Sequence, residues 1–310
     1  MTNQALFAMM PVDHPNHIEN GREYHGFRRG MYMYPCDKDE QQRMDYLHAL
    51  FEVARRKELH EHPIVSNDGP PRILDLGCGT GLWVLSMAEK YPSAEVWGMD
   101  LVKIIPPMTP PNTRWRLHRD YESPWGLGEN SFDLVHLRLG CGSVSNWHDV
   151  YNSAFRHIKP QTGRFEQIEL DLEPRCDDGT LPENATIRKW YDALKRATQL
   201  FNRPIAYNHA TPQMLAAQGF VDVQHRSIRV PLSTWPTGAA MTERRLADFY
   251  ALALLDDKGL ESYSLGPLTR YPVSWPVEDV ERYCEDTANE IRNRNYHMYH
   301  VMHIITARKP

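Results

Sequence analysis

The residues best suited to chemistry lie together in the stretch PRILDLGCGTGLW, which begins at Pro71. An acidic residue, Asp75, precedes three glycines at alternate positions, Gly77, Gly79 and Gly81. Glycine allows the backbone to turn tightly and a ligand to approach with no Cβ in the way. The apolar run before the glycines has the length of a strand, and the apolar spacing after them is helical. The stretch therefore predicts a strand, a glycine turn and a helix, which is how a nucleotide-binding α/β unit begins.

The glycine spacing separates two kinds of nucleotide site. A dinucleotide site has the pattern G-x-G-x-x-G, whereas this chain has G-x-G-x-G after an acid, with no P-loop Lys-Ser/Thr. D-x-G-x-G-x-G resembles motif I of the class I methyltransferases, which bind S-adenosylmethionine. A second acid, Asp100, ends the next apolar run, where its carboxylate can accept hydrogen bonds from both ribose hydroxyls. The alternative, a glycine-rich turn without a ligand, is disfavoured by this second acid.

Further residues are expected at the cofactor from their positions along the chain. Asp120 and Tyr121 directly follow the third predicted strand, where a carboxylate can accept from the exocyclic amine of adenine. The segment 24–34 is dense in aromatics and arginines, so it either packs under the first helix or closes over the cofactor, with Arg28 or Arg29 meeting the methionine carboxylate. The complete set expected to bind S-adenosylmethionine is Tyr24, Arg28, Tyr34, Asp75, Gly77, Cys78, Gly79, Gly81, Trp83, Asp100, Leu101, Asp120, Tyr121, Leu137 and Arg138.

Candidate catalytic residues lie on the fifth predicted strand, residues 164–172. Side chains alternate along a strand, which puts Glu169 and Asp171 on one face. A central strand is normally apolar on both faces, so acids towards its end indicate that it emerges into a cavity. Such acids are needed as bases only if the nucleophile starts protonated. The alternative is that Asp171 is solvated or paired with Arg175.

The methyl acceptor is expected to be a nitrogen or thiol nucleophile in a mildly acidic, aromatic pocket. Carboxylates outnumber arginines near the end of the fifth predicted strand, so the pocket would attract a protonated amine and could take its proton before attack. We therefore expect a protein amine or an amine-bearing metabolite. The sequence does not identify which one.

Composition restricts the class of protein. The chain has 310 residues, of which 41% are hydrophobic and 24% charged, as in an ordinary globular protein. A net charge of -5 argues against direct binding of nucleic acid through a broad basic face. The five cysteines are scattered without a C-x-x-C, which is typical of free thiols in a reducing compartment. No apolar run has the length of a membrane span and the N-terminus lacks a basic signal region, so we expect an intracellular protein without membrane contact.

Three histidines near the C-terminus resemble a metal-binding triplet: His297, His300 and His303. On a strand, however, His300 faces away from the other two. No metal is therefore expected.

The elements that must position these residues follow from apolar periodicity and end signals. Residues 1–20 are expected to form a flexible arm, and a first helix is capped by Asp37 and extends to about His60. Thr211 is expected to cap a short helix, and a helical insertion covers about residues 235–295. The predicted strands are 73–76, 94–99, 114–118, 132–137, 164–172, 220–230 and 296–307.

These elements predict an α/β fold. We expect the Rossmann-like seven-stranded sheet of the class I methyltransferases, with an antiparallel last strand inserted beside the fifth. Helical additions extend it at both ends of the chain. Residues 21–310 are expected to form a single domain, because no linker is visible.

Longer runs of the chain are similar to the LaeA-type methyltransferases, fungal regulators of secondary metabolism that work with velvet-domain proteins in the nucleus. The similarity extends from about residue 20 to the C-terminus and includes YHGFRRGMYMYPCDKDEQQR, ESPWGLGENSFDLVHLRLGCGSV and FEQIELDLEPRCDDGTL. The resemblance implies an S-adenosylmethionine-dependent methyltransferase with a velvet-domain partner, located in the nucleus or the cytoplasm. The alternative that it leaves open is a regulatory subunit that binds the cofactor and acts through partners without obligatory turnover.

Overall fold

The computed structural model describes residues 15–27, 29–30, 32–235, 241–256 and 258–310. Two short antiparallel strands, β1 (His17–Glu19) and β2 (Arg22–Tyr24), form a hairpin before the main fold. The predicted flexible arm therefore ends too late in the sequence, because its last residues belong to this hairpin. The Arg270 guanidinium holds the hairpin in place, with Nε 2.9 Å from Oε1 of Glu19. Residues 1–14 of the arm lie outside the described residues.

A seven-stranded sheet forms the centre of the fold. Its strands are β3 (Arg72–Leu76), β4 (Glu95–Asp100), β5 (Thr113–Leu117), β6 (Leu134–Arg138), β7 (Arg164–Arg175), β8 (Val221–Pro231) and β9 (Tyr299–Arg308). Their order across the sheet is β5-β4-β3-β6-β7-β9-β8. β9 is antiparallel to both β7 and β8, whereas β3 to β7 pair in parallel. The predicted α/β methyltransferase sheet with its antiparallel last strand is confirmed.

The central strands bring the predicted site together. Ile73, Leu74 and Leu76 of β3 are fully buried, as expected for a strand that pairs in parallel on both sides. Leu76 lies in register between Met99 of β4 and Leu137 of β6. The chain therefore leaves all three strands at the same edge of the sheet. This places the glycine turn, the end of β4 and the end of β6 side by side.

Eight helices surround the sheet within the described ranges. They are α1 (Lys38–Ala54), α2 (Leu82–Lys90), α3 (Trp147–His157), α4 (Thr186–Leu200), α5 (Thr211–Ala217), α6 (Met241–Leu255), α7 (Gly259–Thr269) and α8 (Val277–Arg292). None of these helices has the length and apolarity needed to cross a membrane.

Helix α1 begins where the sequence predicts and ends earlier. Asp37 caps it, because its Oδ1 accepts from the Glu40 N–H at 3.0 Å. The helix stops before the expected His60 because Arg56 and Lys57 take left-handed backbone angles, with φ of 55° and 68°.

Helix α5 and the C-terminal insertion also differ in detail from the prediction. The N-cap of α5 is Ala210, whereas Thr211 is its first helical residue and is buried. The predicted insertion contains α6, α7 and α8, and α7 is buried along nearly its whole length. One apolar cluster joins these three helices to α1, α4 and β7, so the insertion extends the core on that face of the sheet. The assignment of residues 21–310 to one domain stays a prediction.

Candidate cofactor and acceptor site

A cavity opens at the carboxyl edge of the sheet, where the ends of β3, β4, β6 and β7 approach α1 and α7. Most of the residues expected at the cofactor line this cavity, together with one of the two expected catalytic acids. They are Tyr34, Gly77, Cys78, Gly79, Asp100, Leu101, Asp120, Tyr121, Arg138 and Glu169. The structure therefore joins residues from separate segments that the sequence patterns assigned to one site.

The glycine turn takes a backbone conformation that other residues rarely adopt. Gly77, Gly79 and Gly81 have φ of 68°, 54° and 82°, all in the left-handed region. A Cβ on Gly79 would lie 2.9 Å from Sδ of Met44, on the face of α1 that covers the turn. Gly81 is the N-cap of α2 and lies behind the cavity wall. Both the backbone angles and the closeness of α1 require glycine in this turn.

Asp100, at the end of β4, holds the turn in place. Its Oδ2 accepts from the Gly79 N–H at 2.7 Å, and its Oδ1 accepts from the Val102 N–H at 2.9 Å. Burial raises the pKa of this carboxyl group, although the two backbone donors act in the opposite direction. Each carboxylate oxygen keeps a further lone pair, so the carboxylate can also accept from two ribose hydroxyls. Asp100 thus fits the cofactor role predicted from its position.

Asp120 and Tyr121 continue the cavity wall after β5. The Asp120 Oδ1 accepts from the Glu122 N–H at 2.8 Å, which fixes the orientation of its carboxylate. The Tyr121 ring covers the turn, with Cε1 3.4 Å from where a Cβ on Gly77 would lie. Burial raises the pKa of Tyr121 well above its ordinary value, so the hydroxyl stays protonated. A flat ring beside a carboxylate suits a purine that carries an exocyclic amine.

Arg138, at the end of β6, brings a positive charge into the cavity. Its Nη1 lies 3.4 Å from Nδ1 of His48, and its guanidinium carbon lies 5.1 Å from the centre of the Phe51 ring. Burial and the Arg138 charge lower the pKa of His48 to about 3, so this imidazole is neutral. Among the described residues, no carboxylate forms an ion pair with Arg138.

Two residues expected at the cofactor are instead buried behind the turn. Oδ1 of Asp75 lies 2.8 Å from Nδ1 of His136, on the neighbouring strand β6. The Trp83 ring stacks on the same imidazole at 3.9 Å, and its Nε1 donates to the Leu59 carbonyl. Burial raises the pKa of Asp75 to about 7. Both residues therefore lie behind the turn and outside the cavity lining, and their cofactor roles stay predictions.

Two more of the expected cofactor residues, Tyr24 and Leu137, are not part of the described cavity wall. Tyr24, on β2, is buried beneath Arg270, whose guanidinium carbon lies 4.7 Å from the ring centre. Leu137 packs in the apolar core beside α3. Arg28 lies outside the described residues. Tyr24 and Leu137 thus stabilise the fold, while Tyr34 of the same aromatic segment does reach the cavity.

Glu169, the first of the two expected catalytic acids, lines the cavity at the end of β7. Its carboxylate accepts from the N–H groups of Gly140 and Cys141, both at 3.1 Å, and from Nε2 of Gln167 at 2.9 Å. Burial raises the pKa of Glu169, although these donors oppose the rise. These three donors therefore fix the orientation of the Glu169 carboxylate in the cavity wall.

Asp171, the second expected catalytic acid, lies outside the cavity. Its Oδ2 accepts from Nη2 of Arg175 at 2.6 Å. Burial tends to raise the pKa of Asp171, but the hydrogen bonds from His303 and Arg175 outweigh it and lower the pKa to about 2. The pairing with Arg175, which the sequence left open as an alternative, is the arrangement found here. This placement favours a structural role, and the catalytic role of Asp171 stays a prediction.

Tyrosines line part of the cavity near the N-terminal segment and α7. The Tyr34 ring meets the rings of Tyr32 and Tyr263 edge-on, with centres 5.5 Å and 5.8 Å apart. Its Oη lies only 1.9 Å from where a Cβ on Gly142 would be, so glycine is required there. Within the described residues this buried hydroxyl has no hydrogen-bond partner. It can therefore donate to a bound molecule.

Sequence reasoning missed part of the wall, which comes from α1, α7 and the segment after α4. The missed residues are Met44, His48, Phe51, Arg203, Ile205 and Tyr263. Met44, Leu47 and Phe51 repeat at helical spacing, which indicated a buried face but not a cavity against it. His48, a titratable residue on that apolar face, was a signal in the sequence that could have indicated the cavity.

The histidines near the C-terminus have separate partners. Nδ1 of His300 lies 2.6 Å from Oη of Tyr250, and Nδ1 of His303 lies 2.9 Å from Nε2 of His225. Within the described ranges no group of three or more potential ligands could hold a metal ion.

Comparisons with known proteins agree with this geometry. A family model described as "Methyltransferase domain" matches residues 43–225. "Secondary metabolism regulator LAE1" from Cochliobolus heterostrophus is 51% identical over 312 residues, which cover 100% of this chain and 99% of that protein. "Protein-methionine methyltransferase laeA" from Emericella nidulans is 44% identical over 295 residues, which cover 95% of this chain and 76% of that protein. "Secondary metabolism regulator laeA" from Monascus pilosus is 43% identical over 301 residues, 97% of this chain and 80% of that protein.

The matched family region contains the glycine turn and the strand ends that surround the cavity. S-adenosylmethionine is the cofactor, since the domain, the fold and the acceptor capacity of Asp100 all fit it. The chain is therefore an S-adenosylmethionine-dependent methyltransferase, and it belongs to the LaeA-type regulators of secondary metabolism.

Proposed function

We propose that the cofactor lies across the carboxyl edge of the sheet, over the glycine turn. Asp100 accepts from the ribose hydroxyls, and Asp120 with Tyr121 holds the adenine. Support comes from the two backbone donors that already fix the Asp100 carboxylate at 2.7 and 2.9 Å. When bound, S-adenosylmethionine supplies a methyl group that is already activated by its sulfonium charge. The protein therefore has to hold the acceptor in line with that group.

We further propose that the acceptor is the thioether sulfur of a methionine in a protein. The relative from Emericella nidulans is named a protein-methionine methyltransferase. In this chain the supporting observation is the acceptor side of the cavity, which is aromatic and apolar. Its residues are Phe27, Tyr32, Tyr34, Leu139, Ile205 and Tyr263. A neutral thioether enters such surroundings at less cost than a protonated amine.

The acids of the site also support a thioether acceptor. A thioether carries no proton, so its methylation needs no general base. Asp171 is paired outside the cavity, and three donors occupy Glu169. The methylated sulfur becomes positively charged, and aromatic side chains of the cavity wall favour a nearby cation. An aromatic wall can therefore stabilise the methylated thioether, and the reaction needs no proton transfer.

Glu169 favours a second candidate acceptor, a protein amine or an amine-bearing metabolite. Its carboxylate lines the cavity, and burial raises its pKa, which strengthens it as a base. A protonated amine would have to lose its proton to this group before attack. The Glu169→Gln variant should then lower turnover at least about tenfold, whereas turnover with a thioether acceptor should be nearly unchanged.

A deuterated methyl group distinguishes these acceptors. The purified protein is incubated with methyl-deuterated S-adenosylmethionine and a fungal lysate, and peptides and small molecules are analysed by mass spectrometry. Labelled methionine that releases dimethyl sulfide on fragmentation would support the proposal. Label on a lysine or on an amine metabolite would overturn it in favour of the second candidate. The Gly79→Val variant, in which the added side chain should block cofactor binding at the glycine turn, is the control. Label that also appears with this variant does not come from methyl transfer in the cavity.

We also propose that a velvet-domain protein binds this chain, in the nucleus or the cytoplasm. Membership of a family of secondary metabolism regulators supports this partner. Wild type and Gly79→Val are tested for copurification with the velvet-domain protein of the source organism and for restoring metabolite production in a deletion strain. Restoration by wild type alone would mean that cofactor use is required. If both wild type and Gly79→Val restore metabolite production, the result would favour the regulatory alternative without obligatory turnover.

A further inference from the structure

Arg138 is a cation in the cavity for which the described part of the chain provides no ion-pair partner. Asp75 and Glu166 act on it through space, but each is bonded to another side chain, at 2.8 and 2.7 Å. The hydrogen-bond partner found for its guanidinium is Nδ1 of His48, at 3.4 Å. Arg138 is partly buried, and holding a guanidinium charge there without an anion is unfavourable. Its position therefore points to an anionic group that arrives with a ligand.

His48 orients the Arg138 guanidinium without neutralising its charge. Nδ1 of His48 faces Arg138, and Nε2 lies 3.7 Å from Oε1 of Glu52. This arrangement assigns the imidazole proton to Nε2 and leaves Nδ1 as an acceptor. The Phe51 ring lies against the guanidinium from the same helix. The remaining N–H groups of Arg138 are left for a ligand in the cavity.

The order of the strands shows which part of the cofactor meets Arg138. The strand ends follow one another as β5, β4, β3 and β6 along the cavity edge. Asp120 follows β5 and Asp100 ends β4, so adenine and ribose occupy that side. A ligand that continues across the glycine turn after β3 next reaches the end of β6, where Arg138 lies. The group beyond the ribose and the sulfur of S-adenosylmethionine is the methionine carboxylate.

We propose that Arg138, oriented by His48, binds the methionine carboxylate of S-adenosylmethionine. A guanidinium offers two parallel N–H groups to a carboxylate, which suits this task better than a point charge. The sequence pointed to Arg28 or Arg29 for this group, whereas the described cavity offers Arg138. The inference rests on the cofactor placement proposed above, with ribose at Asp100 and adenine at Asp120, and not on the proposed acceptor.

Binding calorimetry with two ligands tests this role. S-adenosylhomocysteine carries the carboxylate, and its decarboxylated form lacks only that group. Arg138→Gln should weaken binding of S-adenosylhomocysteine at least tenfold and leave binding of the decarboxylated form within twofold. Arg138→Lys, which keeps the charge without the paired N–H groups, should lie between wild type and Arg138→Gln. No acceptor is present, so the result does not depend on which molecule is methylated.

A second arginine of the same cavity provides the matched control. Arg203 lines the cavity, but its Nη1 is already paired with Oε2 of Glu122 at 2.7 Å. Arg203→Gln should therefore leave the ratio of the two affinities at the wild-type value. Equal weakening of both ligands by Arg138→Gln would make Arg138 a structural residue and overturn the proposal. Unchanged binding of both ligands by Arg138→Gln would also overturn the proposal. Arg138 would then be available to bind an anionic acceptor instead of the cofactor.

Discussion

At the level of single residues, the acids near the edge of the sheet differ by their partners and not by their type. Asp100 accepts from two backbone N–H groups and still faces the cavity. Asp75 is bonded to His136 behind the turn. Asp171 is bonded to Arg175 outside the cavity. Of these three, Asp100 alone is placed to bind a ligand, although the sequence assigned a role at the site to all three.

Replacing Asp100 tests the cofactor assignment at this scale. Asp100→Ala removes the ribose acceptors and the group that fixes the Gly79 N–H. We expect the binding free energy of S-adenosylhomocysteine to weaken by roughly 2–4 kcal/mol, measured by calorimetry. Asp222→Ala, which removes an exposed ion pair with Arg308, serves as the control and should bind normally. Unchanged affinity in Asp100→Ala would rule out the ribose assignment.

The Asp171 ion pair predicts a dependence of stability on pH. The folded-state pKa of about 2 lies below the ordinary 3.8, so the contribution is complete above about pH 4 and is lost as pH falls towards 2. A difference of this size corresponds to roughly 2 kcal/mol. In urea unfolding, Asp171→Asn should therefore be less stable than wild type by up to about 2 kcal/mol at pH 7, and the difference should shrink below pH 4.

Two results would contradict this view of Asp171. One is a constant difference in stability between wild type and Asp171→Asn from pH 7 to pH 3. The other is a tenfold loss of turnover in that variant with cofactor affinity and stability unchanged, which would restore its catalytic role. The exposed Asp222→Asn variant is the matched control, because an exposed pair contributes little to stability.

At the level of elements, the cavity is closed by segments from opposite ends of the chain. One wall consists of His25, Phe27, Tyr32, Tyr34, Pro35 and Cys36. Helix α7, from the C-terminal insertion, packs against this segment. The contact is tight: a Cβ on Gly266 of α7 would lie 2.1 Å from the backbone oxygen of Met33. Arg22 adds a hydrogen bond to Ser262 at 3.2 Å. The position of this wall therefore depends on α7.

Gly266→Ala tests whether the N-terminal wall serves the cofactor. The added methyl group must push Met33 away, because its backbone oxygen cannot move alone. We expect a loss of stability of about 1–3 kcal/mol and a fall in affinity for S-adenosylhomocysteine of at least about threefold. The control is Gly128→Ala, where the new Cβ meets only ordinary contacts, with Oγ of Ser131 at 3.4 Å. Lower stability with unchanged affinity would make the segment a packing element.

The sequence predicts elements well where the signals are local. The glycine turn and the acid that ends β4 follow from short-range patterns, whereas the antiparallel last strand was expected from the resemblance to the methyltransferase sheet. The cavity residues that were missed depend on contacts between distant segments: His48 meets Arg138, and Tyr263 meets Tyr34. The burial of Asp75 was missed for the same reason, since periodicity does not show which strand supplies its partner. Alternation alone could not place Asp171 outside the cavity.

At the level of the whole molecule, the order of the strands determines the order in which the candidate binding residues follow one another along the cavity. The residues proposed to bind adenosine follow β5 and β4, the turn follows β3, and Arg138 ends β6. The acceptor that we propose would lie beyond these strands, between Glu169 on β7 and the tyrosines next to α7. On this proposal, the helical additions complete the acceptor side of the cavity and the sheet provides its cofactor side.

This division of the cavity predicts how methyl transfer depends on pH. A thioether acceptor needs no deprotonation, so the single-turnover rate should be nearly constant between about pH 6 and pH 9. The measurement uses as substrate the unmethylated form of the peptide identified by deuterium labelling, at saturating cofactor. A rate that rises tenfold for each pH unit would instead show a nucleophile that must lose a proton, as the amine candidate requires.

A crystal structure of the complex with S-adenosylhomocysteine tests most directly where the cofactor lies. We predict both ribose hydroxyls on the Asp100 carboxylate, adenine beside Asp120 and Tyr121, and the ligand carboxylate on Arg138. The sulfur atom should then face the tyrosine wall that contains Tyr34. Electron density that places the ribose away from Asp100, or adenine at the end of β6, would contradict this arrangement.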